Sequence, residues 1–500
     1  MPPKVATKNI KPDLVSSDVS TASTASTAST ASTASVSTTD SELDIVKVTD
    51  YDYLPLIVEV TSPDNSDFLT NADIKFSKDI DYPKFSLGFH HYIHMNKNKM
   101  EIVNQFKDKK KVYHVMNKFE RFIDNYDNDI GHYGTNFLEI SKDVPDILSR
   151  GFYKLWEIIH MFDIIPTTKG KFTSAHLAEG PGAFIQATMF YRDKYADDSK
   201  NDKFYAITLH PNDENGHVPE LEKQFVKYYD QEKPKRFIQH KTVSTQIAGS
   251  YDNKDNGDLT DPKTVLLFGG QLSEEKIDFI TADGGFEWNN ENTQEQEAFR
   301  LIFAQIYTAC KISSKSGNFV CKFFETFTDS GSKLVYLLTQ FYKKVYLVKP
   351  LTSRPSNSEK YAVCIDFKYT NTDSKYKTLM KELADIHKTL HQNKDMNIVG
   401  IWDKINLPNE FKQGLILCNQ RISNKQIKNI NEIVQFINDQ NYYGDNYQMH
   451  RQMQIDASKY WIKMFMPDKK KFSATLDLVR KSTNMIIEKS NKIVENVRYI

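Results

Sequence analysis

Four polar side chains in this sequence sit where ordinary packing would not place them: Lys154, Asp283, Lys322 and Glu359. Lys322 closes the run Asn-Phe-Val-Cys-Lys, which has the composition of a buried strand. A buried ammonium group is costly unless it is paired or functional. Asp283 follows the apolar run 277–282 and precedes Gly284 and Gly285. Glu359 ends Ser-Asn-Ser-Glu at the entry to another apolar run, and Lys154 lies in the helical pattern Phe-Tyr-Lys-Leu-Trp-Glu. Two amines and two carboxylates gathered at one rim could carry acid–base chemistry. Any one of the four reads equally well as half of a structural ion pair. Their convergence on one rim favours chemistry, and that convergence depends on the elements that carry them.

From Ser149 to Lys368 strand-like and helix-like stretches alternate. Strand patterns fall at 174–178, 204–209, 277–282, 318–323, 345–348 and 361–367; helical patterns lie between them, at 183–195, 297–313 and 332–342 among others. Strand, helix, strand over 277–323 is a parallel crossover, which puts Asp283 and Lys322 at the carboxyl ends of adjacent strands. Open α/β sheets bind ligands outside those ends. The last two strands are joined by only Lys349 to Pro355, too short for a crossover helix, so they should form an antiparallel pair at the sheet edge. The expected fold is therefore α/β: a Rossmann-like, doubly wound sheet with one antiparallel edge strand.

Around this core the sequence divides into four parts. Residues 1–42 are a tail rich in Thr, Ala and Ser, with Thr-Ala-Ser repeated from Thr21 to Ser35, and are expected to be disordered. Residues 43–148 read as an N-terminal α/β globular region, in which Tyr51, Tyr53, Phe85, Phe89, Tyr92 and Tyr113 are interspersed with Lys107 and Lys109–Lys111. Such mixing can serve nucleic acid, although aromatic core and solvated lysines explain it as well. The alternating domain is set at 149–369, and residues 370–500 read as a helical C-terminal region with a basic run at Lys469–Lys471.

Glu179, Gly180, Pro181, Gly182, Ala183 and Phe184 link the first strand to its helix. A glycine turn there lets a ligand approach the backbone and the helix N-terminus. The dinucleotide fingerprint is incomplete and no P-loop lysine follows, so a nucleoside cofactor without a pyrophosphate fits better. Asp213, after the second strand, is a displaced candidate for holding a ribose. Asp258 and Leu259 lie in a further turn that is either structural or cofactor-binding.

Together these stretches resemble the FtsJ-like (RrmJ-type) RNA 2′-O-methyltransferases, especially the enzymes of eukaryotes and large DNA viruses that methylate the mRNA cap. The resemblance rests on Ala-Glu-Gly-Pro-Gly-Ala-Phe at 178–184, Ile-Thr-Leu-His-Pro-Asn-Asp at 207–213 and Asn-Gly-Asp-Leu-Thr at 256–260. It continues through Ala-Asp-Gly-Gly-Phe at 282–286, Glu-Asn-Thr-Gln at 291–294, Asn-Phe-Val-Cys-Lys-Phe-Phe at 318–324 and Lys-Pro-Leu-Thr-Ser-Arg-Pro-Ser-Asn-Ser-Glu-Lys-Tyr at 349–361. It implies a catalytic tetrad of Lys154, Asp283, Lys322 and Glu359, with Lys322 as the base or the group steering the ribose hydroxyl. It implies S-adenosyl-L-methionine held by residues 179–184, Asp213, Asp258, Leu259 and Asp283. RNA would be contacted through Asn292, Thr293, Gln294 and Asn357. Ala183 stands where the family carries glycine, adding one methyl group near the cofactor's methionine end. Ribosomal or transfer RNA as substrate, and an inactive RNA-binding scaffold, are the competing readings.

Composition sets the outer bounds. Lys plus Arg and Asp plus Glu both number 65, so any nucleic-acid surface must be local. The four cysteines are scattered without ligand spacing, which predicts reduced core thiols and no metal site. The N-terminus lacks an apolar leader and no run approaches membrane-spanning length. Capped mRNA and other capping or transcription proteins are the expected partners, with neither membrane nor DNA. The compartment stays open: nuclear for a cellular enzyme, cytoplasm or virion for a viral one.

Overall fold

A computed structural model describes residues 54–64, 72–120, 136–138, 146–168, 170–209, 220–240, 257–285, 290 and 292–497. The Thr-Ala-Ser tail and Asp213 lie outside these residues. The described strands are β1 (Leu56–Glu59), β2 (Lys75–Ser77), β3 (Thr173–Leu177), β4 (Lys203–Ile207), β5 (Phe237–Gln239), β6 (Ile277–Ala282), β7 (Ser313–Phe323), β8 (Tyr342–Lys349), β9 (Lys360–Phe367) and β10 (Asn397–Gly400). The helices are α1 (Leu87–Lys99), α2 (Gly151–Phe162), α3 (Ala183–Tyr195), α4 (Lys223–Asp230), α5 (Pro262–Gln271), α6 (Gln294–Ile312), α7 (Asp329–Phe341), α8 (Ser374–Gln392), α9 (Asn409–Asn438), α10 (Gly444–Phe465) and α11 (Phe472–Val497).

Eight strands form one sheet in the order β1-β8-β9-β7-β6-β3-β4-β5, and β2 pairs with β10 separately. β5, β4, β3, β6 and β7 are mutually parallel, each reached through a crossover. The order reverses between β3 and β6, so a crevice opens at their carboxyl ends. This is the α/β doubly wound class expected from the sequence. The antiparallel pair appears as β8 and β9. The reversed strand β9 is not at the edge, however: it inserts between β7 and β8 and runs against both. A second reversed strand, β1, pairs with β8 and closes that side.

Period-2 alternation sorts each strand between two apolar layers. Phe319, Cys321 and Phe323 of β7 and Ala362 and Cys364 of β9 join the layer containing α6, α7 and α8. Val320 of β7 and Tyr361 and Val363 of β9 face the layer of α2, α3, α10 and α11. Lys322 falls in register opposite Tyr361 and in phase with Val320, so it points to the side that carries α2. All four cysteines are buried and reduced.

The C-terminal helices are fastened to this second layer. Trp461 of α10 donates its indole N–H to Glu157 of α2 (3.0 Å), and Trp156 donates to the Phe465 carbonyl (2.6 Å). Ser490 of α11 donates to the Ile57 carbonyl at 2.8 Å, and Asn491 reaches Glu59 at 3.2 Å, so β1 is a covered edge.

Candidate active site

β6 ends at Ala282, so Asp283 is the first residue beyond its carboxyl end, beside Lys322 on the neighbouring β7. The Lys322 ammonium donates to the Asp283 carbonyl (2.8 Å) and lies 3.2 Å from Oδ1 of the same residue. Tyr361 donates its hydroxyl to that Oδ1 at 3.1 Å. Lys322 is 12% and Asp283 23% exposed, which leaves the pair reachable at the cleft mouth. The two glycines after Asp283 are required by close approach: a Cβ on Gly284 would meet Gln305 Nε2 at 2.0 Å, and one on Gly285 would lie 3.2 Å from Lys322 Nζ.

The second pair is Lys154 of α2 with Glu359, Nζ to Oε1, at 2.7 Å. Ser353 donates to the same oxygen at 3.0 Å. Burial alone would push the Glu359 carboxyl up; the ammonium groups of Lys154, Lys322 and Lys349 outweigh it and hold Glu359 well below the usual carboxylate range. Glu359 therefore feels both lysines, and the four side chains form one charge-balanced cluster. α2 is held in place by Glu157, three residues beyond Lys154. Its buried carboxylate accepts from the backbone N–H of Leu351 (2.7 Å) and Thr352 (2.9 Å).

The glycine turn lies between β3 and α3. Gly182 has φ of 116°, in the left-handed region that favours glycine. Glu179 is buried, and its Oε1 accepts from the Ile185 N–H at 2.8 Å; its Oε2 has no partner among the described residues. Burial drives this carboxyl well above the ordinary range, and the nearby Asp283 carboxylate adds to the shift. A buried acid with one oxygen unmatched, in a cradle beside Asp283, suits a ligand bearing a cation or hydrogen-bond donors, as a nucleoside sulfonium cofactor does. The extra methyl group of Ala183 has a place: it packs 3.1 Å from where a Cβ on Gly151 of α2 would sit.

The other sequence-derived candidates fall less uniformly. Asp258 Oδ1 accepts from the backbone N–H of Thr260 (2.9 Å) and its hydroxyl (2.8 Å). The Leu259 side chain is core, so only its main chain could meet a ligand. Asn292 donates to Asn98 of α1 at 3.1 Å, and the Thr293 hydroxyl donates to the Asn290 carbonyl at 3.0 Å. Gln294 is buried beside Ser358 (3.4 Å), just before Glu359. Asn357 Oδ1 accepts from Lys349 at 2.9 Å.

Lys349 was not among the sequence candidates. It is 4% exposed, and its ammonium donates to Ser353 Oγ (3.1 Å), the Asn357 carbonyl (2.9 Å) and the Glu359 carbonyl (2.8 Å) as well as to Asn357 Oδ1. Burial pushes it down to about 7, against the pull of Glu359. The signal was present: Tyr-Leu-Val-Lys at the end of β8 repeats the apolar-then-lysine pattern of Phe-Val-Cys-Lys in β7. Tyr361 and Ser353 carried no such signal, because only tertiary pairing brings them to Asp283 and Glu359.

A doubly wound sheet with a glycine turn at its reversal point and two lysine–carboxylate pairs beside it places the candidate site where α/β enzymes bind their ligands. Residues 147–367 match the family model described as FtsJ-like methyltransferase, so the chain carries an FtsJ-like methyltransferase domain. Among similar proteins, the cap-specific mRNA (nucleoside-2′-O-)-methyltransferase 2 of Drosophila melanogaster is 29% identical, covering 53% of this chain and 36% of its own length. The corresponding methyltransferase 1 of Homo sapiens is 33% identical over 37% of this chain and 22% of its own. That of Danio rerio is 31% identical over 43% and 26%. The chain thus spans little more than a third, at most, of the length of these relatives.

Proposed function

We propose that the protein transfers a methyl group from S-adenosyl-L-methionine to a ribose 2′-hydroxyl of RNA, at the first transcribed nucleotides of capped mRNA. The observation that carries the chemistry is the pairing of Lys322 with Asp283 and of Lys154 with Glu359 at the carboxyl edge of the sheet. The similarity to cap-specific nucleoside-2′-O-methyltransferases supports the choice of substrate.

When bound, the cofactor would supply an electrophilic methyl group on a positively charged sulfur, which would leave as a neutral thioether. Glu179 to Phe184 and Asp283, with the main chain at Asp258 and Leu259, hold it, and Glu179 Oε2 gains a partner. Asn292, Thr293, Gln294 and Asn357 contact the RNA near the acceptor ribose. Lys322 steers the 2′-hydroxyl and takes its proton as the oxygen–carbon bond forms and the carbon–sulfur bond breaks. It ends as an ammonium 3.2 Å from Asp283 Oδ1, which stabilises the charge just created. Glu359, ionised and fixed by Ser353, orients Lys154 against the acceptor ribose. Holding the reacting groups in line supplies much of the remaining rate.

The test is methyl transfer from labelled S-adenosyl-L-methionine to matched RNAs, one with an N7-methylguanosine cap and one uncapped. Label on the capped RNA alone, lost when its first riboses already carry 2′-O-methyl groups, supports the assignment. Equal labelling of both points to a structured-RNA methyltransferase. Cofactor binding without transfer to either RNA points to a scaffold.

A further inference from the structure

Asp258, Leu259 and Thr260 form the turn between Gly257 and α5. This turn is seated on the glycine cradle. Gly257 has φ of 77°, and a Cβ there would meet the Thr208 carbonyl oxygen at 2.0 Å, so the close approach requires glycine. The Thr208 hydroxyl in turn accepts from the Gly180 N–H at 3.1 Å. The main chain at 258–260 is thereby continuous with the wall formed by residues 179–184. Within the turn, the Thr260 N–H and hydroxyl both bind Asp258 Oδ1, which fixes its shape. Its position has another source.

That source is α8, a helix outside the segment 147–367 that matches the FtsJ-like model. His387 and His391 are four residues apart and so lie on one face of α8. His391 donates from Nδ1 to the Thr260 carbonyl at 3.1 Å. The Leu259 side chain is buried in the same apolar layer as Leu383, Ile386 and Leu390 of α8. Arg300 of α6 secures this end of the helix by donating to the carbonyls of Leu390 (3.3 Å), Asn393 (2.7 Å) and Met396. Carbonyls at a helix C-terminus have no partner within the helix, so this is an effective anchor.

His387 is 2% exposed, its ring centroid 5.2 Å from that of Tyr307 on α6. Burial keeps the imidazole neutral, pulling it down to about 4, and the Leu259 main chain faces it. Neither ring nitrogen makes a hydrogen bond of ordinary geometry with the described residues. A neutral imidazole carries one N–H donor, and leaving a buried donor unmatched is costly. Here the unmatched donor stands directly behind the main chain of a turn that holds the cofactor on the methyl-transfer reading.

We propose that His387 and His391 are positioning residues for the cofactor: the end of α8 clasps the turn at 258–260, His391 through the Thr260 carbonyl and His387 through the Leu259 main chain once ligand has drawn it into register. The proposal rests on the S-adenosyl-L-methionine reading and adds that a helix beyond the FtsJ-like segment completes the cofactor site. Both histidines act through backbone, and holding that backbone ready reduces the ordering cost of binding.

The experiment uses the full chain and measures S-adenosyl-L-homocysteine binding by calorimetry, beside methyl transfer with the S-adenosyl-L-methionine concentration varied. His391→Ala should raise the dissociation constant and the cofactor KM about three- to tenfold, the range for one lost hydrogen bond. Its kcat at saturating cofactor and its RNA affinity should stay within about twofold of wild type on the same scale. His391→Asn, which keeps an N–H near the Nδ1 position, should restore cofactor affinity. His387→Phe keeps the ring against Tyr307 and removes the unmatched donor. The free variant should therefore melt no lower than wild type, while its cofactor affinity falls by a similar factor. Wild-type affinity in both His391→Ala and His387→Phe overturns the clasp. So does an affinity loss accompanied by equal losses in kcat and RNA binding, or one that His391→Asn fails to restore. A wild-type chain that binds neither S-adenosyl-L-homocysteine nor S-adenosyl-L-methionine removes the underlying reading instead, so the two failures are distinguishable.

Discussion

Lys322 and Lys349 lie at the ends of two apolar strands, β7 and β8, with the same local pattern, yet the structure gives them different surroundings. Lys322 meets one carboxylate at the cleft mouth, whereas Lys349 is enclosed by four acceptors of a single hairpin loop. They should therefore fail differently. Lys322→Met should lower methyl transfer by about 10²–10⁴-fold, the range for losing an acid–base group, with cofactor affinity retained. Near-normal turnover in that variant would remove Lys322 from its role. Lys349→Met takes the donor away from four acceptors of the 353–359 loop, so stability should fall by about 1–3 kcal/mol. Turnover should also drop, on the order of 10–100-fold, because the loop positioning Glu359 and Asn357 loses its anchor. Measuring kcat well below the melting temperature separates the two effects; wild-type turnover there would make Lys349 purely structural.

At the scale of elements, the site is assembled by carboxylates that clasp loops. Glu157 joins α2 to the loop after β8, and Glu120 joins the turn at 116–120 to Arg150 and Arg354. Burial would raise the Glu120 carboxyl, but the two guanidinium groups hold it down at about 2 against an ordinary 4.5. As pH falls below 4.5 the unfolded chain takes up the proton first. The stabilisation is therefore complete above pH 4.5 and is lost between 4.5 and about 2. Glu120→Gln should cost about 3–5 kcal/mol at neutral pH, as breaking one partner of a buried ion pair does, and should flatten the acid limb of the stability profile. Denaturant melts across pH check both, and an unaltered acid limb would refute the coupling. Such joints mark where sequence reading stops. The strand ends carrying Asp283 and Lys322 were legible because apolar period and crossover topology are local signals. Helix 183–195 was legible because its pattern is bounded by Gly182. β1 was not, since four residues whose partners on β8 lie more than half the chain away leave no local trace. Within the helical C-terminal region the bounds of α10 leave little trace, because its buried face is narrow, resting mainly on Gln454, Ala457, Ser458, Trp461 and Phe465.

For the whole molecule, the segment that matches the FtsJ-like model and the body that folds need not be the same. Residues 147–367 carry the five parallel strands β3 to β7 and the β8–β9 pair, but β1 and the helices α9 to α11 lie outside that segment. Without them, β8 becomes a bare edge with unpaired backbone groups, a template for aggregation. Trp156 loses the Phe465 carbonyl, Glu157 loses the Trp461 indole, and Tyr195 loses the Phe472 ring stacked on it at 3.9 Å. Each buried aromatic removed forfeits roughly 2–3 kcal/mol of burial. Trp461, Phe465 and Phe472 together are therefore comparable to the roughly 5–15 kcal/mol net stability of a domain. A fragment of residues 147–367 should accordingly aggregate or melt without cooperativity, whereas the full chain should show one principal transition by calorimetry and near-ultraviolet circular dichroism alike. A soluble fragment with sharp melting and cofactor affinity equal to the full chain would overturn this. It would show the flanking regions to be accessories docked on a self-sufficient sheet, rather than the second wall of the layer that positions Lys154.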